Sequence, residues 1–356
     1  LAFLNDPYML FHKPWVHEKY YFKDMRSQAA GIINTHEFDS IILGTSMAQN
    51  FSAKEASTEF EANFVNLSIP GGYLSEREIL LKYALNKKNI KNVIITLDVF
   101  GEYGKYRSDI LVDSYSYLYD KFSYNDIKLY LGFKKAVYMF CGNLVFKNDC
   151  PFTVKSINET TEWYSNTINS RRFGGLQNWI KYSNEPQVKE ALKAIIFLIN
   201  SNQIPIDQER ILNSIENDER VFNNYVLSYI DENLETNFYL FFPPYHRIKH
   251  SLWQKYDPSQ YIIYKKRIEL VVSLLENRSN VQIFGFDNFS FVDDISNYKD
   301  TRHYHPIYNS KILKWMKSGH GELKTDNLDD YFQQLDDKAS EYNLQNFVNQ
   351  VKIGFD

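Results

Sequence analysis

The stretch Asp39-Ser-Ile-Ile-Leu-Gly-Thr-Ser-Met-Ala-Gln-Asn50 decides the fold of this chain. Its apolar residues 41–43 are too few for a buried helix and end at Gly44, so they predict a buried β-strand. Ser52-Ala-Lys-Glu55 has the pattern of a capping box, which predicts that a helix begins there. A serine in the turn between them lies where α/β sheets bind ligands, outside the carboxyl ends of the strands. Ser46 is therefore the candidate nucleophile, and the alternative is a turn serine that bonds its own backbone.

A second polar motif lies near the other end of the chain, in Asp300-Thr-Arg-His-Tyr-His305. A serine hydroxyl becomes a good nucleophile only when a base takes its proton, and that base needs an acidic group to fix its tautomer. Asp300 and His303 are three residues apart, so the carboxylate can reach and orient the imidazole. The alternative is a surface loop in which a solvated aspartate and an unrelated histidine are neighbours.

Together, the early G-T-S turn and the late D-x-x-H motif resemble the SGNH (GDSL-type) hydrolase and acyltransferase superfamily. The nearer likeness is to its bacterial cell-envelope branch, which carries G-[ST]-S in place of G-D-S. The resemblance covers roughly residues 36–100 and 236–320. It implies that Ser46 is the nucleophile, that His303 is the general base and that Asp300 is the acid that orients the base.

A further block of that superfamily has a counterpart in this chain. Asn66-Leu-Ser-Ile-Pro-Gly-Gly-Tyr73 follows an apolar strand and looks like the block whose glycine amide lines the oxyanion hole. We expect the amides of Gly72 (or Gly71) and of Ser46 to be the donors. Glycine at such a position lets the backbone approach the substrate oxygen without a Cβ in the way.

The third block of the superfamily, G-x-N-D, is not matched. It should end the strand predicted over residues 92–97, but this chain has Asp98-Val-Phe100. An ionised aspartate cannot donate a hydrogen bond, so the oxyanion hole is one donor short or is completed by a residue that the sequence does not identify. Loss of such a donor costs about 10²–10³ in rate, which leaves slow turnover or a binding-only role open. We place Asp98 among the substrate contacts, with Tyr245 and His246.

Apolar runs predict five buried strands in this chain. These lie at residues 40–43, 64–66, 92–97, 237–242 and 281–284. Ser75-Glu-Arg-Glu78 has the pattern of a second capping box, and Asp257-Pro258 predicts the start of a long helix. Strand–helix–strand order predicts a parallel sheet covered by helices. With the resemblance, this predicts an α/β protein with a flavodoxin-like three-layer α/β/α sandwich, a parallel five-stranded sheet and a large helical insertion.

The pattern changes between the third and fourth strands, where helical periodicity replaces the apolar runs. Helices are predicted from residue 123, from 187 to 198 and from 208 to about 231. A segment of this length between two core strands is too long for a loop, so we expect a lid or substrate wall. The predicted organisation is an N-terminal lead-in over 1–35, a core over 36–100 and 236–320, the helical insertion over 101–235 and a C-terminal helical tail over 321–356.

The composition predicts a globular protein that does not bind nucleic acid. The chain has 356 residues, of which 44% are apolar, so it can bury a substantial core. Its formal net charge is −4, with charges of both signs interspersed and no long basic run, which argues against a surface for duplex nucleic acid. The 27 tyrosines and 26 phenylalanines can stack on sugar faces, but core filling is the plainer interpretation.

Cysteine and histidine spacing predicts no metal site and no cofactor. Cys141 and Cys150 can form a small disulfide in an oxidising compartment or remain two free thiols. No C-x-x-C, H-E-x-x-H or Walker motif is present. His303 and His305 would share one face of a strand, but no third ligand of the usual kind lies near them in the sequence.

The N-terminus bears on where the protein works. The sequence begins at Leu1 and not at Met, and it has no run of about 18 apolar residues that would cross a bilayer. The resemblance implies that a signal or membrane anchor preceded Leu1, so we expect an extracytoplasmic protein, periplasmic or on the cell surface. A cytoplasmic protein shortened at this end would look the same. The resemblance also implies an acyl-donating membrane transferase as a partner.

With the resemblance, these features predict a serine-dependent O-acyl esterase or O-acyltransferase that acts on a cell-envelope carbohydrate through an acyl-enzyme. Hydrolysis and transfer use the same residues, so the sequence does not distinguish them. The alternative from a different class is a carbohydrate-binding or assembly factor that keeps the fold without the catalysis. A nucleotide-binding α/β protein is disfavoured because the chain has no glycine-rich phosphate cradle.

Overall fold

The computed structural model describes residues 6–13, 15, 21–22, 25–100, 114–132, 152–154, 167–182 and 186–355. The chain divides into two compact units, one made of Leu1–Glu162 with Asn224–Phe238 and the other of Trp163–Asn223 with Tyr239–Asp356. The bounds predicted for the helical insertion do not coincide with those of either unit. Cys141 and Cys150 lie outside the described residues, so the choice between a disulfide and two thiols is not addressed by the structure.

The described residues form seven strands in two sheets. In chain order the strands are β1 (Tyr21–Phe22), β2 (Ser40–Leu43), β3 (Phe64–Asn66), β4 (Asn92–Thr96), β5 (Phe152–Val154), β6 (Asn237–Phe242) and β7 (Val281–Gly285). β1 and β5 pair antiparallel. The other five form a parallel sheet in the order β3-β2-β4-β6-β7. Numbered along the chain, those five strands have the order 2-1-3-4-5, which is that of flavodoxin-like folds. The predicted α/β class, with its parallel five-stranded sheet, is confirmed.

Helices occupy most of the remaining described chain. In chain order they are α1 (Met25–Thr35), α2 (Ala53–Phe60), α3 (Leu74–Lys87), α4 (Lys128–Leu131), α5 (Thr167–Ser170), α6 (Leu176–Lys181), α7 (Pro186–Asn200), α8 (Gln208–Phe222), α9 (Ser228–Glu232), α10 (Arg247–Tyr256), α11 (Pro258–Leu275), α12 (Ile307–Ser318), α13 (Leu328–Glu341) and α14 (Leu344–Phe355). A π-helical turn over Asn223–Leu227 joins α8 to α9, so the long helix predicted there is confirmed. The helix predicted from residue 123 begins as a 3₁₀ turn, Ser123–Ile127, and continues as α4.

Local capping explains where three of these helices begin. The Ser52 side chain accepts the amide of Glu55 at the start of α2, as predicted. Asp257 caps α11, and Pro258 stands at its first turn, where a missing N–H costs nothing. The predicted box at Ser75 is wrong in register. The N-cap of α3 is Tyr73, two residues earlier, and its amide donates to the carboxylate of Glu76.

The first unit is built on β2, which pairs with a strand on each side. Ile41 lies opposite Val65 of β3 and Val93 of β4 in the parallel register. The side chains of residues 41–43 are fully buried, because a parallel strand of this kind is covered on both faces. α1 packs against α3 in the same unit. The turn after β2 therefore leaves a rigid, fully buried strand, which limits where its side chains can point.

In the second unit, β7 is an edge strand of the sheet. Residues 321–323 run antiparallel beside it, with the amide of Gly285 donating to Gly321 and the amide of Leu323 donating to Ile283. This covers part of an edge that would otherwise expose unpaired backbone groups. α8 packs along α11, and α10 packs against α13. Across the described ranges, no helix is long and apolar enough to cross a bilayer.

Candidate active site

Ser46 is the one residue between positions 40 and 51 that is not buried. It lies in the turn that follows β2, at the carboxyl end of the strand, where α/β sheets bind ligands. Gly44 precedes this turn and has no room for a side chain, because an added Cβ would lie 2.6 Å from the Cβ of Ala48 and 2.7 Å from Oγ1 of Thr96. The local sequence thus presents a single partly exposed hydroxyl on a tightly packed turn.

The predicted role of Asp98 as a substrate contact is wrong. Asp98 is only 5% exposed, and both of its carboxylate oxygens accept hydrogen bonds inside the protein. Oδ2 accepts from the hydroxyl of Thr45, and Oδ1 accepts from the hydroxyl of Thr96 at 2.6 Å. Arg77 of α3 also approaches the carboxylate, at 3.7 Å. A carboxylate engaged in this way faces the turn at Thr45 and not a ligand.

The loop after β3 lies beside the turn that carries Ser46. The amide of Ile69 donates to the carbonyl of Gly44 at 2.8 Å, which holds the two segments together. The side chain of Asn66 donates to the carbonyls of Ala48 and Phe51, both at 2.9 Å, and so braces the chain that leads from the turn into α2. The loop after β3 is therefore packed against the turn that carries Ser46.

Within that block, the structure changes the assignment of the oxyanion donor. The amide of Gly72 donates to the carbonyl of Ile69 at 3.0 Å, closing a tight turn in which Gly71 has a φ of 61°. An amide committed to this turn cannot also serve a substrate oxygen, so the prediction for Gly72 is wrong in this arrangement. Gly71, which needs glycine's freedom at positive φ, stays the candidate from this block with the Ser46 amide.

The second unit contains the paired acid and base. Asp300 and His303 lie in a small hairpin, where Tyr298 bridges Tyr304 and the amide of Lys299 donates to the carbonyl of His303. Nδ1 of His303 lies 2.8 Å from Oδ2 of Asp300 and 3.0 Å from Oδ1. With its Nδ1 proton donated to the carboxylate, the imidazole carries its lone pair on Nε2, the tautomer that a general base requires.

Other parts of the second unit fix this hairpin. The indole of Trp179 in α6 donates to the carbonyl of Tyr298 at 2.8 Å, and the hydroxyl of Tyr298 donates to the carbonyl of Pro244 at 3.2 Å. The amide of His246 donates to the carbonyl of Thr301. Since these partners belong to a helix and to the end of a core strand, the hairpin that carries Asp300 and His303 is held in place by regular secondary structure.

The charge state of Asp300 follows from its surroundings. Burial acts to raise the pKa of Asp300, but the charge and hydrogen bonds of His303 outweigh burial and hold that pKa well below its usual range, with a further contribution from Lys299. The carboxylate also accepts the amides of Arg302 and His303, at 2.8 and 2.9 Å. Burial lowers the pKa of Lys299 to about 8, although Asp300 acts to raise it. Asp300 is therefore ionised throughout the neutral range, as an orienting acid must be.

His246 does not have the role predicted for it. Its ring is fully buried, and Nδ1 accepts the amide of Ile248, which makes His246 the N-cap of α10. The ring packs edge-on against Tyr298 and Tyr342, with centroids 5.1 and 5.7 Å away. Burial lowers the pKa of His246 to about 3, helped by the positive charge of Arg247. A neutral, buried cap cannot contact a substrate.

Tyr245, the other residue predicted in this loop, is half-buried. Its amide donates to Asp287 at 3.2 Å, and Lys249 lies over its ring at 3.7 Å from the centroid. These contacts leave part of the side chain accessible, so its role as a substrate contact stays a prediction.

A second acid–base pair in the same unit was not predicted. Asp287 follows β7 and accepts from Nε2 of His250 at 3.0 Å and from the hydroxyls of Tyr264 and Tyr331. All of this lies in the core, since Asp287 and His250 are both 0% exposed. The pair is structural, and it differs from Asp300 and His303 in its complete burial and in its use of Nε2 instead of Nδ1. Among the residues that the structure describes, no three His, Cys, Asp or Glu side chains are grouped to bind a metal.

The predicted site residues are thus distributed over both units. Ser46, Gly71, Gly72 and Asp98 belong to the first, and Tyr245, His246, Asp300 and His303 belong to the second. Sequence reasoning missed Thr45, Arg77 and Thr96, because no pattern in a helix or strand marks a side chain that bonds to a distant carboxylate. A scan against protein-family models gives no match, and no curated protein matches the sequence.

Proposed function

We propose that this chain is a serine-dependent O-acyl esterase or O-acyltransferase of the SGNH type, with Ser46, His303 and Asp300 as its triad. The observation that carries the proposal is the pair formed by Asp300 and His303, whose 2.8 Å contact sets the imidazole in the tautomer of a general base. It is supported by the exposure of Ser46 alone in an otherwise buried turn at the end of a parallel strand.

In the proposed reaction, Nε2 of His303 takes the hydroxyl proton of Ser46 as Oγ attacks the acyl carbonyl. The ester bond to the leaving alcohol then breaks, and the imidazolium returns the proton to that alcohol. The resulting acyl-enzyme reacts with water, which gives an acid, or with a sugar hydroxyl, which gives a new ester. In both cases His303 removes the proton of the attacking group, and Ser46 is regenerated.

The substrate class and the setting of the reaction come from the likeness of the motifs. We propose an O-acylated carbohydrate of the cell envelope as substrate, an extracytoplasmic location with a membrane anchor in the full-length protein, and an acyl-donating membrane transferase as partner. The charge of −4 and the absence of a long basic run are consistent with a sugar polymer as ligand and not with a nucleic acid.

One observation favours a second candidate function, that of a catalytically weak or silent carbohydrate-binding or assembly factor. Two of the groups considered at the oxyanion hole are committed elsewhere, since Gly72 donates to Ile69 and Asp98 accepts from Thr45 and Thr96. A missing oxyanion donor lowers the rate by about 10²–10³. A protein with this arrangement would bind the acylated sugar and turn it over slowly or not at all.

The decisive experiment is labelling with a fluorophosphonate probe, which reacts with activated serines. We expect wild-type protein to be labelled on Ser46, and the variants Ser46→Ala and His303→Ala to show no labelling. Two matched variants serve as controls. Ser273→Ala removes an exposed helical serine, and His320→Ala removes an exposed histidine outside the motif. Both should label like wild type.

Each outcome separates the two candidates. Labelling of wild type and of both controls, but of neither site variant, supports the serine enzyme. If folded wild-type protein is not labelled while it retains binding to an acetylated polysaccharide, the binding role is favoured. Labelling that persists in Ser46→Ala would contradict the assignment of the nucleophile.

A further inference from the structure

Four buried polar side chains lie directly behind the nucleophile turn. They are Thr45, Arg77, Thr96 and Asp98, which are 1%, 2%, 0% and 5% exposed, and they are called the turn brace below. All four belong to the first unit, and they come from the turn itself, from α3 and from the end of β4. Buried polar groups of this kind are maintained only when they are hydrogen-bonded, so the partners of each define what the brace does.

Asp98 is the centre of the turn brace. Its Oδ2 accepts the hydroxyl proton of Thr45, which is the residue immediately before Ser46. The oxygen of that same hydroxyl accepts the amide of Met47 at 3.2 Å, and the carbonyl of Thr45 accepts the amide of Ala48 at 3.0 Å. Thr45 therefore links the carboxylate of Asp98 to the backbone on the far side of Ser46.

Arg77 fixes the segment of chain that carries Asp98. Its guanidinium donates to the carbonyl of Thr96, to the carbonyl of Asp98 at 2.5 Å and to that of Val99 at 3.4 Å. Val99 has a φ of 51°, a conformation that is costly for a β-branched residue and persists only when surrounding contacts impose it. Arg77 supplies such contacts, so the chain after β4 is kept in the one path that points the Asp98 carboxylate at Thr45.

We infer that Asp98 is a positioning residue for Ser46. Its carboxylate restrains Ser46 through the hydrogen bond from Thr45, and Arg77 in turn fixes the position of Asp98. The inference rests on the proposed function for its catalytic consequence, but the restraint on the turn does not depend on catalysis. It also accounts for the departure from the G-x-N-D pattern, because a carboxylate that accepts two hydroxyl protons from behind the turn replaces an amide that would donate to a substrate. A nucleophile displaced by about 1 Å loses about 10²-fold in rate.

The restraint is tested by hydrogen exchange, read by mass spectrometry on peptides that cover residues 43–51. Thr45→Val keeps the shape of the side chain and removes its hydroxyl, whereas Thr45→Ser keeps the hydroxyl. We expect Thr45→Val and Asp98→Ala each to accelerate exchange of the Ala48 amide by about tenfold, since a hydrogen bond to a charged group is lost. The Met47 amide is left out of the comparison, because Thr45→Val also removes the oxygen that accepts it. Thr45→Ser should exchange like wild type.

A double-mutant cycle and a surface control sharpen that test. Combining Thr45→Val with Asp98→Ala should accelerate exchange of the Ala48 amide no further than either change alone, because both remove the hydrogen bond between Thr45 and Asp98. Thr58→Val is the control, since the hydroxyl of Thr58 is exposed on α2 and bonds only within its own helix, to the carbonyl of Lys54. Should Asp98→Ala fail to fold, the near-isosteric Thr45→Val still decides the matter.

The catalytic consequence is read from the rate of fluorophosphonate labelling and from kinetics on a small ester. We expect Thr45→Val to lower both the labelling rate and kcat by about 10²-fold with KM unchanged, and Thr45→Ser to restore them, because the substrate site itself is intact. Unchanged exchange in a folded Thr45→Val variant overturns the inference, and so does faster exchange with an unchanged labelling rate. If wild-type protein is not labelled at Ser46, the proposed function fails, and the exchange data still decide whether Asp98 restrains the turn.

Discussion

The Nδ1 nitrogen of His303 lies 2.8 Å from Oδ2 of Asp300, and the same carboxylate accepts the backbone amides of Arg302 and His303. The carboxylate therefore holds both the ring and the loop that carries it. About a fifth of each side chain is exposed, 21% for His303 and 22% for Asp300, so the pair is open to solvent on one side. This differs from the wholly buried pair of His250 and Asp287, and the difference decides which of the two can take part in chemistry.

The Asp300–His303 pair makes the effect of Asp300→Asn specific. Asparagine keeps the size of the side chain, but its amide can hold the imidazole in the wrong tautomer, with the Nδ1 lone pair facing an N–H. We expect kcat for ester cleavage to fall by about 10³–10⁴-fold, as in the serine triads of known enzymes. The free energy of unfolding near pH 7 should also fall, because a carboxylate whose pKa is held low stabilises the folded state. Steady-state kinetics and urea unfolding measure the two quantities. Asp329→Asn, on the exposed face of α13, should change neither, and a loss of less than tenfold in Asp300→Asn would count against the triad.

Acid should destabilise the protein partly through His246. An unfolded histidine has a pKa near 6.5, and burial lowers the pKa of His246 to about 3 in the folded chain. Between these values the unfolded state binds one more proton, so the free energy of unfolding falls as the pH falls below about 6.5, by up to about 1.4 kcal/mol per pH unit. His250, whose pKa burial also lowers, acts in the same direction.

The variant that tests this is His246→Asn, because asparagine also caps helices but does not titrate. We expect the loss of stability between about pH 7.5 and about pH 5 to shrink by about 2 kcal/mol in this variant, measured by urea unfolding at the two pH values. His320→Asn, at an exposed position, should leave the pH dependence as it is in wild type. An unaltered pH dependence in His246→Asn would mean that His246 is protonated in the folded protein.

The buried carboxylate of Asp287 should be a major source of stability for the second unit. It accepts from His250 at 3.0 Å and from the hydroxyls of Tyr264 and Tyr331 at 2.5 and 3.1 Å. Asp287→Ala leaves all three groups buried without their acceptor, and we expect it to cost about 3–5 kcal/mol in the free energy of unfolding. Tyr331→Phe removes one donor and should cost about 1–2 kcal/mol. Chemical denaturation measures both values, and near-equal costs for the two variants would contradict a central role for Asp287.

Gly44→Ala should disturb the turn that carries Ser46 directly. The added methyl would lie 2.6 Å from the Cβ of Ala48 and 2.7 Å from Oγ1 of Thr96, which belongs to the turn brace. Overpacking of this kind costs about 1–3 kcal/mol, and because the turn has to move, we expect labelling of Ser46 to slow by at least about tenfold. Gly72→Ala is the matched comparison, since its methyl would meet Ile69 at 3.0 Å and requires a smaller shift. We expect Gly44→Ala to lower both the melting temperature and the rate of Ser46 labelling more than Gly72→Ala does.

The fold could be predicted from the sequence because its signals are local. A parallel strand covered on both faces is a short apolar run, and all five predicted runs are strands of the sheet, three of them with unchanged bounds (Ser40–Leu43, Phe64–Asn66 and Asn237–Phe242). Asp257 and Pro258 placed the start of α11 through capping alone. The pattern was less reliable where two caps compete, as at α3, where Glu76 bonds to the amide of Tyr73 and displaces the cap predicted at Ser75.

The sequence by itself determined the five strands of the parallel sheet, most of the helices, the position of Ser46 after the first of those strands and the spacing of Asp300 and His303, since each depends on residues that are close along the chain. Only the tertiary structure decided that Asp98 accepts from Thr45, 53 residues away, and that His246 is a buried cap instead of a substrate contact. The physical reason is that the residue type of a polar side chain does not reveal whether that side chain faces solvent, a ligand or the core. Its role is set by burial and by the partner that the order of the strands brings to it.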